Sequence, residues 1–190
     1  MYRFLIPLLL GFALGGASAF TAAFSRLWGE RGGRMATMVL RNLLAIPLWL
    51  FGFVLAWRTA APLLFVRGSA SMTLGWLLIA GGAIPVVWGH SSLGLRTHMP
   101  SIRDTLVRRG LYAHVRHPIY AGMILIFVGL ALLKPTSSVV VACAVGVVWA
   151  FVQARLEEID LVSRLPAYRA YMKEVPCFIP KLGGKGMTGP

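Results

Sequence analysis

Residues 120–152 read YAGMILIFVGLALLKPTSSVVVACAVGVVWAFV, two apolar runs (Tyr120 to Leu133 and Ser137 to Val152) separated by Lys134-Pro135-Thr136. A proline within a helix lacks the donor N–H and clashes with the preceding turn, so neither run continues through this triplet. The pair reads as a helical hairpin. Each run is short against the roughly 20 apolar residues that cross about 30 Å of hydrocarbon. The two helices are therefore expected to extend into their polar flanks or to line a protein-enclosed pocket, with a re-entrant pair as the alternative.

Working outward, three further stretches are long enough to span: Leu5 to Phe24, Thr37 to Trp57 and Ala70 to Trp88, with Arg41 as their one interior charge. The composition agrees. Of 190 residues 57% are hydrophobic and 13% charged, with a mean hydropathy of +0.73, which excludes both a soluble domain and a disordered chain. The expected fold class is all-α: a polytopic membrane protein of about five transmembrane helices, forming one domain over residues 1–182 with a disordered tail at 183–190. Ala17-Ser18-Ala19 resembles a signal-peptide cleavage site. A single basic residue precedes the apolar run, however, and apolar character continues through Ala22, Ala23 and Phe24, so an uncleaved helix is expected. Gly11 and Gly15 give that helix a GxxxG face, suited to dimerisation or to close packing on a neighbour. Cys143 and Cys177 form no CxxC pair, which argues against a disulfide scaffold and a zinc finger.

The chain carries 19 Lys and Arg against 6 Asp and Glu, a net charge of +13. In a soluble protein that excess would suggest nucleic acid; in a polytopic membrane protein it reflects basic residues collected on the cytoplasmic flanks, with lipid headgroups rather than nucleic acid as partners. With five spans, all the basic residues except Arg3, Arg58, Arg67 and Lys134 fall on one side. The positive-inside rule then sets the N-terminus outside and the third loop and C-terminal tail in the cytoplasm.

Chemistry-bearing residues concentrate in two segments flanking the hairpin. Residues 89–122 hold all four histidines (His90, His98, His114, His117), and residues 153–181 hold Glu157, Glu158, Asp160 and Glu174. The hairpin brings the two segments together at the membrane boundary. Pro118 suits the first turn of a helix and holds His117 extended just outside it. Tyr120 and Gly122 then fall in that turn, where glycine permits close approach and free N–H groups can receive an anion. The alternative is an ordinary juxtamembrane Arg-His pair with an interfacial Tyr. His114 and His117 could share a metal if helical, but no third ligand stands at useful spacing, so no metal site is expected. Arg155 and Glu158 are i, i+3 neighbours, read either as a surface salt bridge or as groups holding a ligand. Tyr168 and Tyr171, followed by Val175-Pro176, look like an interfacial strap or an aromatic belt.

Arg116-His117-Pro118-x-Tyr120-x-Gly122, preceded by Leu106-Val-x-x-Gly110-x-Tyr112 and followed by Arg155-x-Glu157-Glu158, Tyr168-x-x-Tyr171 and Val175-Pro176, resembles the isoprenylcysteine carboxyl methyltransferase and phospholipid methyltransferase superfamily. The resemblance covers residues 93–180. One departure is Leu165-Pro166-Ala167, where the family has a Gly-containing turn one residue longer.

The resemblance implies an integral-membrane enzyme using S-adenosylmethionine near the cytoplasmic face, with a lipophilic acceptor arriving laterally from the bilayer: an isoprenylcysteine-like carboxylate, a phospholipid amine or a phenolic lipid. It puts His117, Tyr112, Tyr120, Gly122, Glu157 and Glu158 in the cofactor site. It also gives Arg155, Glu158 and His117 catalytic roles, Arg155 helping to place the acceptor. NADPH-dependent membrane sterol and enone reductases share an RHPxYxG-like element and are the alternative, but they carry an Arg-Asp-Glu cluster where this chain has Arg155-Leu156-Glu157-Glu158. A non-catalytic membrane protein keeping the fold is the third reading. Trp76, Trp88, Met72 and Met123 are candidates for lining an acyl tunnel.

Overall fold

The computed structural model describes residues 2–180; the tail expected at 183–190 lies outside the described residues. Seven helices succeed one another: α1 (Leu5–Ala17), α2 (Thr21–Met38), α3 (Ile46–Arg58), α4 (Ser69–Leu93), α5 (Pro118–Leu133), α6 (Ser137–Arg164) and α7 (Tyr168–Glu174). Among the described residues β-pairing is confined to an isolated bridge between Leu63 and Thr136. The all-α polytopic reading holds. Three helical stretches, Thr21–Arg58, Ser69–Thr97 and Ser137–Arg164, are long and apolar enough to cross a bilayer, the first of them only through the part that follows a break at Gly29. Helices α1 and α5, with 13 and 16 residues, reach about 20 and 24 Å at 1.5 Å per residue. Of the hairpin helices, α6 extends into its polar flank as far as Arg164, well past Val152, while α5 keeps close to its apolar run.

The first expected span is interrupted. Helix α1 ends at Ala17, where the Ser18 hydroxyl turns back to donate to the Gly15 carbonyl at 2.6 Å, a local bond that competes with helix continuation. Ser18 and Ala19 are buried, so the cleavage-like tripeptide forms part of an interior turn. Helix α2 is not straight either. Gly29 adopts φ 70°, ψ 172°, a left-handed φ that side chains resist, and the chain folds back on itself there. Thr21 and Thr37 hydroxyls consequently meet at 3.2 Å, and a Cβ on Gly33 would lie 2.2 Å from Ser25 Oγ. A π-helical stretch, Val39–Ala45, carries the chain into α3.

The polypeptide ends of the bundle are distinct. At one end the Leu64 N–H donates to the Pro135 carbonyl at 2.8 Å, the Ser137 N–H donates to Pro62 at 2.9 Å, and Lys134 donates to the Trp57 carbonyl. At the other end, residues 94–117 meet residues 153–180 and the α2 fold-back. Arg58, Arg67 and Lys134 sit at the first end and most of the remaining basic residues at the second, the separation anticipated from the sequence.

Close glycine contacts fix the packing. A Cβ on Gly122 of α5 would lie 2.4 Å from the Gly82 carbonyl oxygen of α4, and one on Gly82 would lie 2.5 Å from that of Gly122. Gly11 faces the Trp49 backbone nitrogen, 2.6 Å from where its Cβ would be, so the small-residue face of α1 packs within the chain against α3. Helices α3 and α4, by contrast, scarcely touch. Between them, floored by α5, lies a cavity.

Candidate functional site

The cavity has a volume of about 580 Å³, within the range of sites that enclose a cofactor-sized molecule. Its deep wall is apolar: Trp49 and Phe53 from α3, and Met123, Phe127 and Leu130 from α5. Its other end is polar and receives Arg41, Gln153, Glu157, Tyr120 and His117.

The hairpin positions this polar end. His117 precedes α5 with φ −124°, ψ 61°, and Pro118 occupies the first helical turn; the following proline keeps His117 out of the helical region, though its ψ falls short of the extended value expected. Tyr120, one turn position later, donates its hydroxyl to Glu157 Oε1 at 2.7 Å. The same oxygen accepts from Arg41 at 3.1 Å and from Gln153 Nε2 at 3.3 Å. Gln153 Nε2 also donates to the Gly15 carbonyl, while the Gln153 Oε1 is buried without a partner among the described residues. An unsatisfied buried acceptor is costly unless a ligand donor meets it. Trp149 packs edge-on to Tyr120 at 6.0 Å and stacks on Phe12 at 4.5 Å, so the Tyr120 ring is held from the side by an indole.

Glu158 lies elsewhere. Its Oε1 accepts from Arg116 at 3.0 Å and faces His117 Nε2 at 3.2 Å; its Oε2 accepts from Arg155 at 3.0 Å. The carboxylate is buried but does not line the cavity. It holds the Arg116-His117 segment from behind. The C-terminal strap completes this anchorage, because the Arg116 N–H donates to Pro176 at 2.9 Å, the His117 N–H to Cys177 at 3.0 Å, and Arg116 NH1 to Met172 at 2.8 Å. Donor atoms of His117, Glu158 and Cys177 fall within 4.8 Å of one another. Two guanidiniums already bound to this carboxylate oppose a further cation there, and the chemistry is that of an ion-pair hub.

Of the residues singled out from the sequence, His117, Tyr120, Tyr112 and Glu157 line the cavity; Glu158, Arg155 and Gly122 do not. Arg155 has a side chain 71% exposed, and Gly122 is consumed by the α4–α5 contact. Residues 110–113 form a 3-10 turn, with His114 exposed and His117 buried, so the two imidazoles do not share a face. Met123 lines the cavity, whereas Trp76, Trp88 and Met72 face outward. Tyr168 and Tyr171 are buried against Leu106 and Leu161. The Tyr171 hydroxyl donates to the Tyr112 carbonyl at 2.6 Å. Burial pushes the Tyr171 phenol up to about 12 and those of Tyr112 and Tyr168 well above their ordinary value, so all three remain protonated at neutral pH. The Leu165-Pro166-Ala167 departure forms a tight turn in which the Tyr168 N–H donates to Leu165 at 2.9 Å.

Sequence reading did not assign Arg41, Gln153, Asp160 or Arg164 to the site. Arg41 carried the strongest signal, a charge inside an apolar stretch. It reaches three elements at once: Nε donates to Ser18 Oγ at 3.2 Å, NH1 to the Thr97 carbonyl at 2.8 Å, and NH2 to Glu157.

A bundle of apolar helices around a cavity with an apolar wall and one polar end, built from a His-Pro helix start and a helix-borne carboxylate, defines a class of integral-membrane protein. The model of the phospholipid methyltransferase family matches residues 70–165, half of the chain, spanning α4, α5 and α6, and the protein belongs to that family. Methyl transfer to a membrane-associated acceptor is the activity the family implies. No curated protein and no solved structure matches the chain.

Proposed function

We propose that the protein transfers a methyl group from S-adenosylmethionine to a lipophilic acceptor, with the cavity opening at the cytoplasmic face of the membrane. The observation carrying this reading is the meeting of Tyr120, Gln153 and Glu157 at the polar end of a cavity that continues down an apolar gap between α3 and α4. The residues fit the cofactor chemically. The orphaned Gln153 Oε1 and the Glu157 carboxylate suit ribose hydroxyls or an ammonium, and the faces of Trp149, Trp49 and Tyr120 suit a cation.

When bound, S-adenosylmethionine supplies an electrophilic methyl on a positively charged sulfur. The protein's part is alignment and exclusion of water, which supply much of the acceleration in an in-line displacement. Tyr112, Tyr168 and Tyr171 close one side, and Arg41 closes another by tying Thr97 to Glu157. The apolar gap between Trp49, Phe53 and the α5 residues Met123 to Leu130 suits a hydrocarbon chain arriving laterally. A carboxylate or thiolate acceptor needs no base. An amine or phenol acceptor must lose a proton, and among the lining side chains His117 and Glu157 can take it. Arg155, exposed beside the hub, is proposed to approach the acceptor from outside the cavity.

Calorimetric titration of the detergent-purified protein with S-adenosylmethionine, S-adenosylhomocysteine and NADPH side by side tests the reading. Saturable binding of the first two alone is expected. Binding of NADPH, or of none of the three, overturns it.

A further inference from the structure

The fold-back of α2 has an unusual tip. Arg26, Leu27, Trp28, Gly29 and Arg31 are all exposed, with Leu27 at 71% and Trp28 at 60%. Phe24 stacks on Trp28 at 5.6 Å, which fixes the indole on the outer surface. Arg26 and Arg31 form no salt bridge among the described residues. The acidic residue nearest the tip, Glu30, is already bound to Arg103 at 2.8 Å and to the Ser101 hydroxyl at 2.8 Å. Positive charge beside an exposed Leu-Trp pair is thus left without a counterion in the protein.

The tip's place in the fold says what supplies one. The hairpin lies between the end of α1 and the start of the apolar stretch that becomes α3, so it sits where hydrocarbon gives way to headgroups. Tryptophan and leucine favour that boundary, and arginines there attract anionic lipid. We infer that the α2 tip, Arg26 to Arg31, is a docking surface for anionic phospholipid headgroups, and that its docking steadies the wall of the cavity.

A closed circuit of hydrogen bonds provides the second half. At the hairpin's base the Ala22 N–H donates to Asp160 Oδ1 at 2.8 Å. Asp160 Oδ2 accepts from Arg164 Nε at 2.7 Å, and Arg164 NH1 donates to the Ser101 carbonyl at 2.7 Å. The Ser101 hydroxyl returns to Glu30 near the tip. Asp160, Arg164 and the neighbouring Pro100 and Asp104 line the cavity. Fixing the tip against headgroups therefore restricts the end of α6 and the segment around Ser101 together, which lowers the ordering cost left for a ligand to bear.

The test uses the whole protein in nanodiscs of phosphatidylcholine with a rising fraction of phosphatidylglycerol. Two readouts are taken: quenching of tryptophan fluorescence by brominated phosphatidylglycerol, with Trp28→Phe identifying the share of Trp28, and affinity for S-adenosylhomocysteine, which rests on the proposed function. Trp28→Phe should remove a resolvable share of the quenching, beside the share that the outward-facing Trp76 and Trp88 keep in both proteins. Affinity should tighten at least about fivefold with anionic lipid, the lower end for coupled sites. Arg26→Gln/Arg31→Gln should flatten that response, while Arg169→Gln/Lys173→Gln, with equal charge lost from exposed positions elsewhere, should keep it. A wild-type response in the first double variant overturns the inference. So does quenching unchanged by Trp28→Phe, as expected if the tip contacts a protein or a second copy. If S-adenosylhomocysteine does not bind, the proposed function fails, and the quenching arm with and without the two arginines still decides the lipid contact.

Discussion

Glu157 and Glu158 are neighbours on α6 that serve different spaces. Glu157 faces the cavity, its Oε1 receiving Tyr120 at 2.7 Å, while Glu158 faces away from it and binds Arg116 and Arg155, both at 3.0 Å. Successive helical residues are about 100° apart around the axis, so an acidic pair necessarily addresses two surfaces. One carboxylate faces the cavity; the other holds the His-Pro segment that forms part of the cavity's wall.

Replacing the two acids should therefore give separable defects. Glu157→Gln removes the charge facing the cavity and should weaken S-adenosylhomocysteine binding at least tenfold, about 1.4 kcal/mol, with little change in melting temperature. Glu158→Ala leaves the buried Arg116 guanidinium without its partner, a loss of about 3–5 kcal/mol for a buried pair broken on one side. Thermal unfolding in detergent, run beside calorimetry, distinguishes them. Equal melting temperatures for the two variants would refute the division.

Arg155 gives a contrasting case, because its side chain is 71% exposed and the ion pair it makes is solvent-screened on its side. Arg155→Ala should change stability by no more than about 1 kcal/mol and leave S-adenosylhomocysteine affinity unaltered. If it approaches the acceptor from outside the cavity, its loss raises the acceptor KM severalfold. An unchanged KM across candidate lipids would remove it from the acceptor site.

The hairpin and the extension of α6 into its polar flank were legible in the sequence, because apolar run length and a Lys-Pro turn are local signals; that Tyr120 and Glu157 share one site came from the family resemblance and not from spacing. The separation of Glu157 from Glu158 was not, since motif spacing says which residues are near a site and not which way a helix turns them. Gly29 and Ser18 were missed for a related reason. Hydropathy averages over a window, so it cannot register one left-handed φ that folds α2 back or one hydroxyl that ends α1. Arg41 stood out as a charge in an apolar stretch, but its three partners come from distant parts of the chain, Ser18, Thr97 and Glu157, and only tertiary structure joins them.

Gly122 lies within the motif yet contacts a helix. A methyl group there would sit 2.4 Å from the Gly82 carbonyl oxygen and 2.9 Å from Pro85, and backbone on both sides must shift to admit it. Gly122→Ala should destabilise by about 1–3 kcal/mol, the usual cost of overpacking, measured as a lower melting temperature. Once folded, the variant should bind S-adenosylhomocysteine within about threefold of wild type, 0.65 kcal/mol or less at RT of about 0.59 kcal/mol. A normal melting temperature with abolished binding would instead return Gly122 to the cofactor site.

Cys177 reports on the strap. Its backbone carbonyl accepts the His117 N–H, and its thiol is pushed above the ordinary value, by burial first and also by the nearby Glu158 carboxylate, against the lowering effect of Arg116 and Arg155. A raised thiol value means less thiolate at a given pH, and the thiolate is the species that reacts. Iodoacetamide should accordingly modify Cys177 more slowly than a cysteine in an unstructured peptide near pH 8, with the rate rising only at more alkaline pH. Cys143, buried in the apolar core with Phe127 and Val139, should stay unmodified in the folded protein. Glu158→Ala removes the carboxylate that holds Arg116 and His117 against the strap, so Cys177 labelling should accelerate in that variant while Cys143 stays protected. Mass-spectrometric labelling time courses at several pH values measure both, and peptide-like labelling of Cys177 in the wild type would show that the strap does not cover the hub.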